Sequence, residues 1–312
     1  MWTSGQADTI EDLYNAMDTA LLTVGWIKHP FDTYSNMYEG VGGGTDKIYI
    51  ILDAHRYTTP TEGVDSSKLH ARMTLDSAVG YDPNLGAFEQ PGSLQQWYKF
   101  TGKDDAMVDI PEFCVTPNER FFYWIFVDTY RIIVVCRMSI VYESMYLGFI
   151  NPIASERQYP YPMYVCGNTH TSGANWPNNQ NGSFVFPQNR TGFLRRADGT
   201  WRIFNASKPN PSPSSDGTVF PYNSHNQKLI PNYKETDAIN QDNFLLIPVM
   251  LQTNNPVDVN GLLRGCHWVS GTRDIDAERI LAYGSNQYIV FDTKQDRGTN
   301  TYYAILMDGT GV

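Results

Sequence analysis

The stretch from Phe121 to Val141 constrains this chain more than any other. It reads Phe-Phe-Tyr-Trp-Ile-Phe-Val, breaks at Asp128-Thr129, and resumes as Arg131-Ile-Ile-Val-Val-Cys-Arg-Met-Ser-Ile-Val. β-Branched and aromatic side chains pack well on a pleated surface, and a turn signal between two such runs makes a hairpin. In the second arm Ile132, Val134, Cys136, Met138 and Ile140 form one wholly apolar face. The opposite face mixes Ile133, Val135 and Val141 with Arg137 and Ser139, the pattern of a face that is only partly covered. This hairpin is expected at the centre of the core.

Other segments extend the β reading. Lys47-Ile-Tyr-Ile-Ile-Leu52 reads as a strand, and Gly40 to Gly44 before it as a flexible connection. Those glycines precede the strand, whereas a phosphate-binding loop follows one, so they do not point to a nucleotide. Phe244 to Leu251 is a strand interrupted by Pro248, which places it at an edge or across a bulge. Gln287 to Phe291 and Tyr302 to Leu306 alternate as strands on either side of a turn signal at Asp296-Arg-Gly298. One segment is helical instead: Ile10, Leu13, Met17 and Leu21 recur at helical spacing, Thr9 can cap, and Glu11 and Asp12 suit the positive helix end. Such a helix covers an edge or face of a sheet. Pro160 and Pro162 predict that Tyr142 to Val165 is an extended, aromatic-lined loop, and the Asn, Gly and Ser of Gly167 to Asn189 predict a long irregular one.

The expected fold is mainly β: an antiparallel β-sandwich-like body with an N-terminal helix and long loops. Residues 1–206 would hold the helix and the main β domain. Residues 207–217, rich in Pro and Ser, read as a linker or projecting loop, and 218–312 as a C-terminal β part that either stands alone or packs into the same domain. A chain of 312 residues at 41% hydrophobic can bury a sizeable core in one large unit or two smaller ones.

Charge narrows the partners. The net charge of −10 argues against duplex nucleic acid, because phosphate binding rests on clustered Lys and Arg. No apolar run approaches the ~20 residues of a membrane span, and the N-terminus lacks the pattern of a secretory signal. Cys114, Cys136, Cys166 and Cys266 are widely spaced, so neither a zinc site nor a disulfide framework is indicated and buried free thiols are expected. Ser270 lacks the flanking glycines of a nucleophile elbow, and no His-Glu-x-x-His occurs. Asp53 and His55 could share a strand face, but a polar pair at a strand end is usually surface. No catalytic residue, cofactor or metal ligand is assigned, and the chain is not expected to be an enzyme.

The residues with a functional slant are aromatic, since Tyr and Trp are enriched at interfaces. The 20 Tyr and 7 Trp suit either subunit contacts or sugar stacking. Tyr142, Tyr146, Phe149, Tyr159, Tyr161 and Tyr164 are the candidate assembly contacts; Trp176, Trp201 and Trp268 are the candidates for stacking a glycan.

Four places in the chain resemble virion structural proteins of tailed bacteriophages. They are Met1-Trp-Thr-Ser-Gly leading into the helix, and Tyr123-Trp-Ile-Phe with Arg131-Ile-Ile-Val-Val135. Val141-Tyr-Glu-Ser-Met-Tyr-Leu-Gly-Phe-Ile150 with Gln158-Tyr-Pro-Tyr-Pro162 is the third. The last is Gly261-Leu-Leu-Arg-Gly-Cys-His-Trp-Val-Ser-Gly271 with Tyr288-Ile-Val-Phe291 and Tyr303-Ala304. Cys166-Gly167 departs from the Gly-Gly expected after the third. The resemblance implies a subunit of the neck or collar, tail or baseplate, made in the bacterial cytoplasm and localised in the virion. Its partners would be other virion proteins, with copies arranged in a ring of three-fold or six-fold symmetry. A virion-attached module binding host-surface carbohydrate is the alternative.

Overall fold

The computed structural model describes residues 1–42, 46–56, 71–100, 111–115, 119–153, 162–167, 182–187, 192–196, 199–204, 217–220, 244–254, 257–269, 275–293 and 302–307. The chain opens with β1 (Trp2–Ala7) and α1 (Ile10–Thr23). A meander follows: β2 (Ile27–Asp32), β3 (Ser35–Gly40), β4 (Ile48–Arg56) and β5 (Ala71–Ala78), then α2 (Leu94–Phe100) and β6 (Glu112–Val115). Next come β7 (Phe121–Val127), β8 (Arg131–Met138), β9 (Val141–Phe149), β10 (Asn151–Pro152) and β11 (Met163–Cys166). The short strands β12 (Gly182–Ser183), β13 (Phe186–Pro187), β14 (Gly192–Arg195), β15 (Trp201–Phe204) and β16 (Gly217–Phe220) precede the last group. That group is β17 (Leu246–Asn254), β18 (Val257–Val269), β19 (Ile280–Tyr283), β20 (Asn286–Asp292) and β21 (Tyr302–Leu306).

β2 to β6 form a five-stranded sheet in sequence order. A larger sheet runs β1-β7-β8-β9-β11-β14-β15-β16-β17-β18-β21-β20-β19, with β10 paired to β18. The hairpin read from sequence is β7–β8, paired from Phe122↔Arg137 to Val127↔Ile132. One face of β7, β8 and β9 carries Ile125, Ile132, Val134, Cys136, Met145 and Leu147 into a core shared with α1 and the small sheet. The other carries Trp124, Phe126, Ile133, Val135 and Tyr146 against β17, β18, β20 and β21, the far half of the same sheet. The structure thus has three layers: the small sheet with α1, the first half of the large sheet, and the second half folded back over it. The second face of the hairpin is covered, contrary to the partial cover expected. Arg137 misleads there because it lies at the margin, over the Phe122 ring.

Residues from both sides of 207–217 enter the second core, since Phe204 and Leu194 pack in one cluster with Val219, Leu251 and Trp268. Of that Pro/Ser segment only Gly217 is among the described residues. At Pro248 β17 pairs with β18 alone, because β16 joins it only from Met250 to Thr253, and the register shifts between Pro248 and Met250, so the proline sits at a local edge beside a bulge. The expected loop from Tyr142 to Val165 is corrected: β9, β10 and β11 occupy most of its described part. β9 alternates sides, with Met145 and Leu147 in one core and Tyr146 in the other, and both prolines lie beyond it. A long loop was also expected from Gly167; within it β12 and β13 form a small hairpin that buries Phe184 and Val185.

Local chemistry holds the small sheet in place. Thr9 caps α1 through a capping box with Asp12, and Ile10, Leu13, Tyr14, Met17 and Leu21 are buried, so the helix covers a sheet face. Arg195 Nη1 donates to the carbonyl of Ala78 at 3.1 Å, joining β14 to β5. Asp76 on β5 accepts the backbone N–H groups of Ser77 (2.6 Å), Leu94 (2.8 Å) and Gln95 (3.3 Å), which ties the start of α2 to the sheet.

Burial pushes the Asp76 carboxyl up to about 7 against the lowering effect of those N–H donors. The folded chain therefore binds this proton more tightly than the unfolded chain, where the ordinary value is 3.8. Stability contributed by the group is full below that ordinary value and is lost as pH rises through about 7. Urea unfolding between pH 4.5 and pH 8 should show this decline, at about 1.4 kcal/mol per unit of separation. Asp76→Asn should flatten it, and an unchanged profile in the variant would assign the decline to other groups.

Candidate functional site

The two halves of the large sheet meet through aromatic rings, and this decides where the expected contact residues lie. Tyr146 and Tyr164 are fully buried, their ring centroids 5.9 Å apart. Tyr146 Oη donates to the carbonyl of Phe149 at 2.7 Å and Tyr164 Oη to that of Phe184 at 3.3 Å, so both polar tips are satisfied inside. Burial pushes both phenols up. Phe149 is buried in the first core. These three are core residues of the single chain and not assembly contacts, a correction with a simple cause: the layer that carries them has no solvent face.

Tyr142 is half-buried; Tyr159 and Tyr161 lie outside the described residues. Among the glycan candidates, Trp201 and Trp268 are buried and cannot stack a sugar, while Trp176 lies outside the described residues. Asp53 is buried on β4, contrary to the surface position expected of it.

Several exposed apolar side chains lie elsewhere, at the two ends of the large sheet and at the β8–β9 turn. Trp124 on β7 lies 5.2 Å from Phe291 on β20, ring to ring, so these strands pack face to face. β1 lies one strand beyond β7, and β19 one strand beyond β20. The two ends of the sheet therefore share one margin of the sandwich. Trp2 pairs with Phe126 and Gln6 with Phe122, which puts Trp2 and Phe122 on one face, both exposed. On the opposing end Ile280 is 52% exposed and Tyr283 70%. Ile140, 71% exposed, stands at the tip of the β8–β9 turn, where Ser139 takes the positive φ of 56° that a two-residue hairpin loop requires.

A polar clamp closes the sandwich beside this margin. Glu278 Oε1 lies 2.6 Å from Arg137 Nη1 and accepts the Tyr142 hydroxyl at 2.7 Å. Burial first, and then the hydrogen bond to Glu278, push the Tyr142 phenol up. Glu278 holds a positive φ of 68°, a left-handed conformation unusual for a side chain of this kind. The carboxylate thus spans from the chain entering β19 to β8 and β9.

Sequence reasoning missed β1, β19 and Glu278. Trp2 to Ala7 carries no apolar alternation that would signal β1. All four cysteines are free and buried, as expected. Among the described residues no three His, Cys, Asp or Glu side chains are grouped to hold a metal, and no helix is long and apolar enough to cross a membrane. Compared with known proteins, the chain matches no family model and no curated sequence.

Glu278→Ala removes an acceptor from two half-buried donors and should cost about 1–3 kcal/mol in urea unfolding. Glu278→Gly should cost less, because glycine regains roughly 1 kcal/mol at a left-handed position. Equal losses for the two variants would mean that the backbone is not strained there.

Proposed function

We propose that this chain is a non-enzymatic structural subunit of a tailed-bacteriophage particle, in the neck or collar, tail or baseplate. It joins neighbouring virion proteins through the two ends of its large sheet. The observation that carries the mode of contact is the composition of those ends. β1 (Trp-Thr-Ser-Gly-Gln-Ala) and β19 (Ile-Leu-Ala-Tyr) hold no charged residue and no proline, and they terminate the sheet among the described residues.

Edge strands present backbone N–H and C=O groups to any passing strand, and proteins that stay apart blunt them with lysine, proline or charge. The small sheet does this: its edge β2 reads Ile-Lys-His-Pro-Phe-Asp, and its other edge β6 opens on Glu112. The contrast within one molecule favours the large sheet as the adhesive one. The ring of three-fold or six-fold symmetry rests on the resemblance to phage tail proteins alone, since two edges on one margin do not by themselves dictate a ring. The placement in a virion draws its support from the resemblance at Met1–Gly5, Tyr123–Val135, Val141–Pro162 and Gly261–Ala304. Low charge density adds to it, because a lasting interface desolvates few ions.

Lysine at Ile280 and Tyr283 together should lower incorporation into particles by about tenfold or more in a complementation assay. The purified variant should keep the wild-type unfolding midpoint. Normal incorporation would remove β19 from the contact, and absence of the wild-type chain from the ordered neck and tail in cryo-EM of the particle would end the virion reading.

A further inference from the structure

The inner edge of β1 fixes what its outer edge presents. The Val127 N–H donates to the Met1 carbonyl and the Met1 nitrogen to the Val127 carbonyl, both at 3.0 Å, which makes this a hydrogen-bonded pair of the antiparallel ladder. Such pairs alternate along a ladder with pairs that are not bonded to each other. With the register of β1 on β7, Thr3, Gly5 and Ala7 therefore turn their backbone groups toward β7, and Trp2, Ser4 and Gln6 turn theirs away. Among the described residues no strand lies on that side.

The same three residues carry exposed side chains. Trp2, Ser4 and Gln6 pair with Phe126, Trp124 and Phe122, so they point to the side of β7 that faces the second core. From the other layer Ile280 pairs with Ile289 and points to that core too, yet it is 52% exposed. Two contacts fix how the layers are stacked: Trp124 on β7 meets the Phe291 ring on β20, and a Cβ on Gly265 of β18 would lie 2.8 Å from Nη2 of Arg131 on β8. β1 and β19 therefore end the two layers on one side. The second core stops there with inward-facing apolar groups still exposed.

A second copy of the chain matches this side. Antiparallel contact of β1 with β1 about a two-fold axis at Ser4 sets Ser4 against Ser4 and Trp2 against Gln6. Every residue whose backbone groups turn outward then meets another of the same kind. Trp2 falls in the cross-strand row of the partner's Gln6 and the partner's Phe122, so two exposed rings flank one glutamine. The nearest charges, the exposed ion pair of Asp8 and Arg120, fall at opposite ends of the contact, and β1 and β19 carry none themselves. Strands of packed layers keep within about 30° of each other, so an axis perpendicular to one layer also sets β19 against β19. Stable interfaces bury roughly 800 Å² per partner, more than one short edge supplies, so both edges must engage.

We infer that two copies of this chain associate about a two-fold axis at Ser4, continuing both layers of the large sheet from one copy into the other. Resting on the proposed role of these edges as contact surfaces, this pairing names a second copy as their partner.

Sedimentation equilibrium of the full chain should show twice the monomer mass, with a Kd below about 100 μM. Ser4→Lys and Ser4→Glu each set like charges against one another at the axis and should weaken the dimer about fivefold. An equimolar mixture of the two should restore it, because lysine then faces glutamate. Ser4 is exposed, so both variants should keep the wild-type unfolding midpoint. If either does not fold, the double lysine variant at Ile280 and Tyr283 should weaken the same dimer from β19. A wild-type chain that stays monomeric at about 100 μM overturns the inference. So does a mixture no tighter than either Ser4 variant alone. A monomeric wild type whose β19 lysine variant still fails to enter particles would exclude the second copy and leave the edges as contacts to a different virion protein.

Discussion

Everything in this structure hangs on a layer that is buried on both faces. β7, β8 and β9 present Ile132, Val134 and Leu147 to one core and Ile133, Val135 and Tyr146 to the other. Burying a large apolar side chain is worth about 1.5–3 kcal/mol, and here nearly every position of three adjacent strands contributes. The small sheet and α1 have a place to pack because one face is apolar. The large sheet folds back on itself because the other is too. A single polar residue placed in the middle of either face would therefore weaken two interfaces between layers, since the strands that carry them are shared.

What the sequence disclosed follows from the same fact. Runs of β-branched and aromatic residues made the hairpin legible, and the Thr9 to Leu21 pattern made α1 legible, because local chemistry decides both. Pro248 could be read as a bulge or an edge, and the structure shows both, a register shift beside a position that only β18 pairs. Tyr146, Tyr164, Trp201 and Trp268 were misread as available surface. An aromatic ring with a polar tip looks interfacial, yet in a doubly covered layer the Tyr146 and Tyr164 hydroxyls find carbonyls and their rings find each other. Period-two alternation cannot tell a solvated face from one that a distant part of the chain covers.

The contact surface was illegible for a further reason. Being an edge is a property of topology: β19 has the composition of an interior strand and becomes a margin because no described strand lies beyond it. Glu278 carries no signature at all in sequence, since its role comes from meeting Arg137 and Tyr142 across more than a hundred residues of chain. The polarity of Trp2 to Ala7 likewise hides a strand that exists through its pairing with β7.

That pairing also fixes an order of events. The N-terminal amine of Met1 donates to the carbonyl of Val127, 126 residues away, whereas β2 to β5 pair with immediate sequence neighbours. Loop closure favours near contacts first, so the meander can form while the first strand still has nothing to join. On a ribosome this segment must wait until the residues of β7 have emerged. Until then it is a free strand with a tryptophan near its end, and a neighbouring copy's unfinished sheet offers it the same partner as its own.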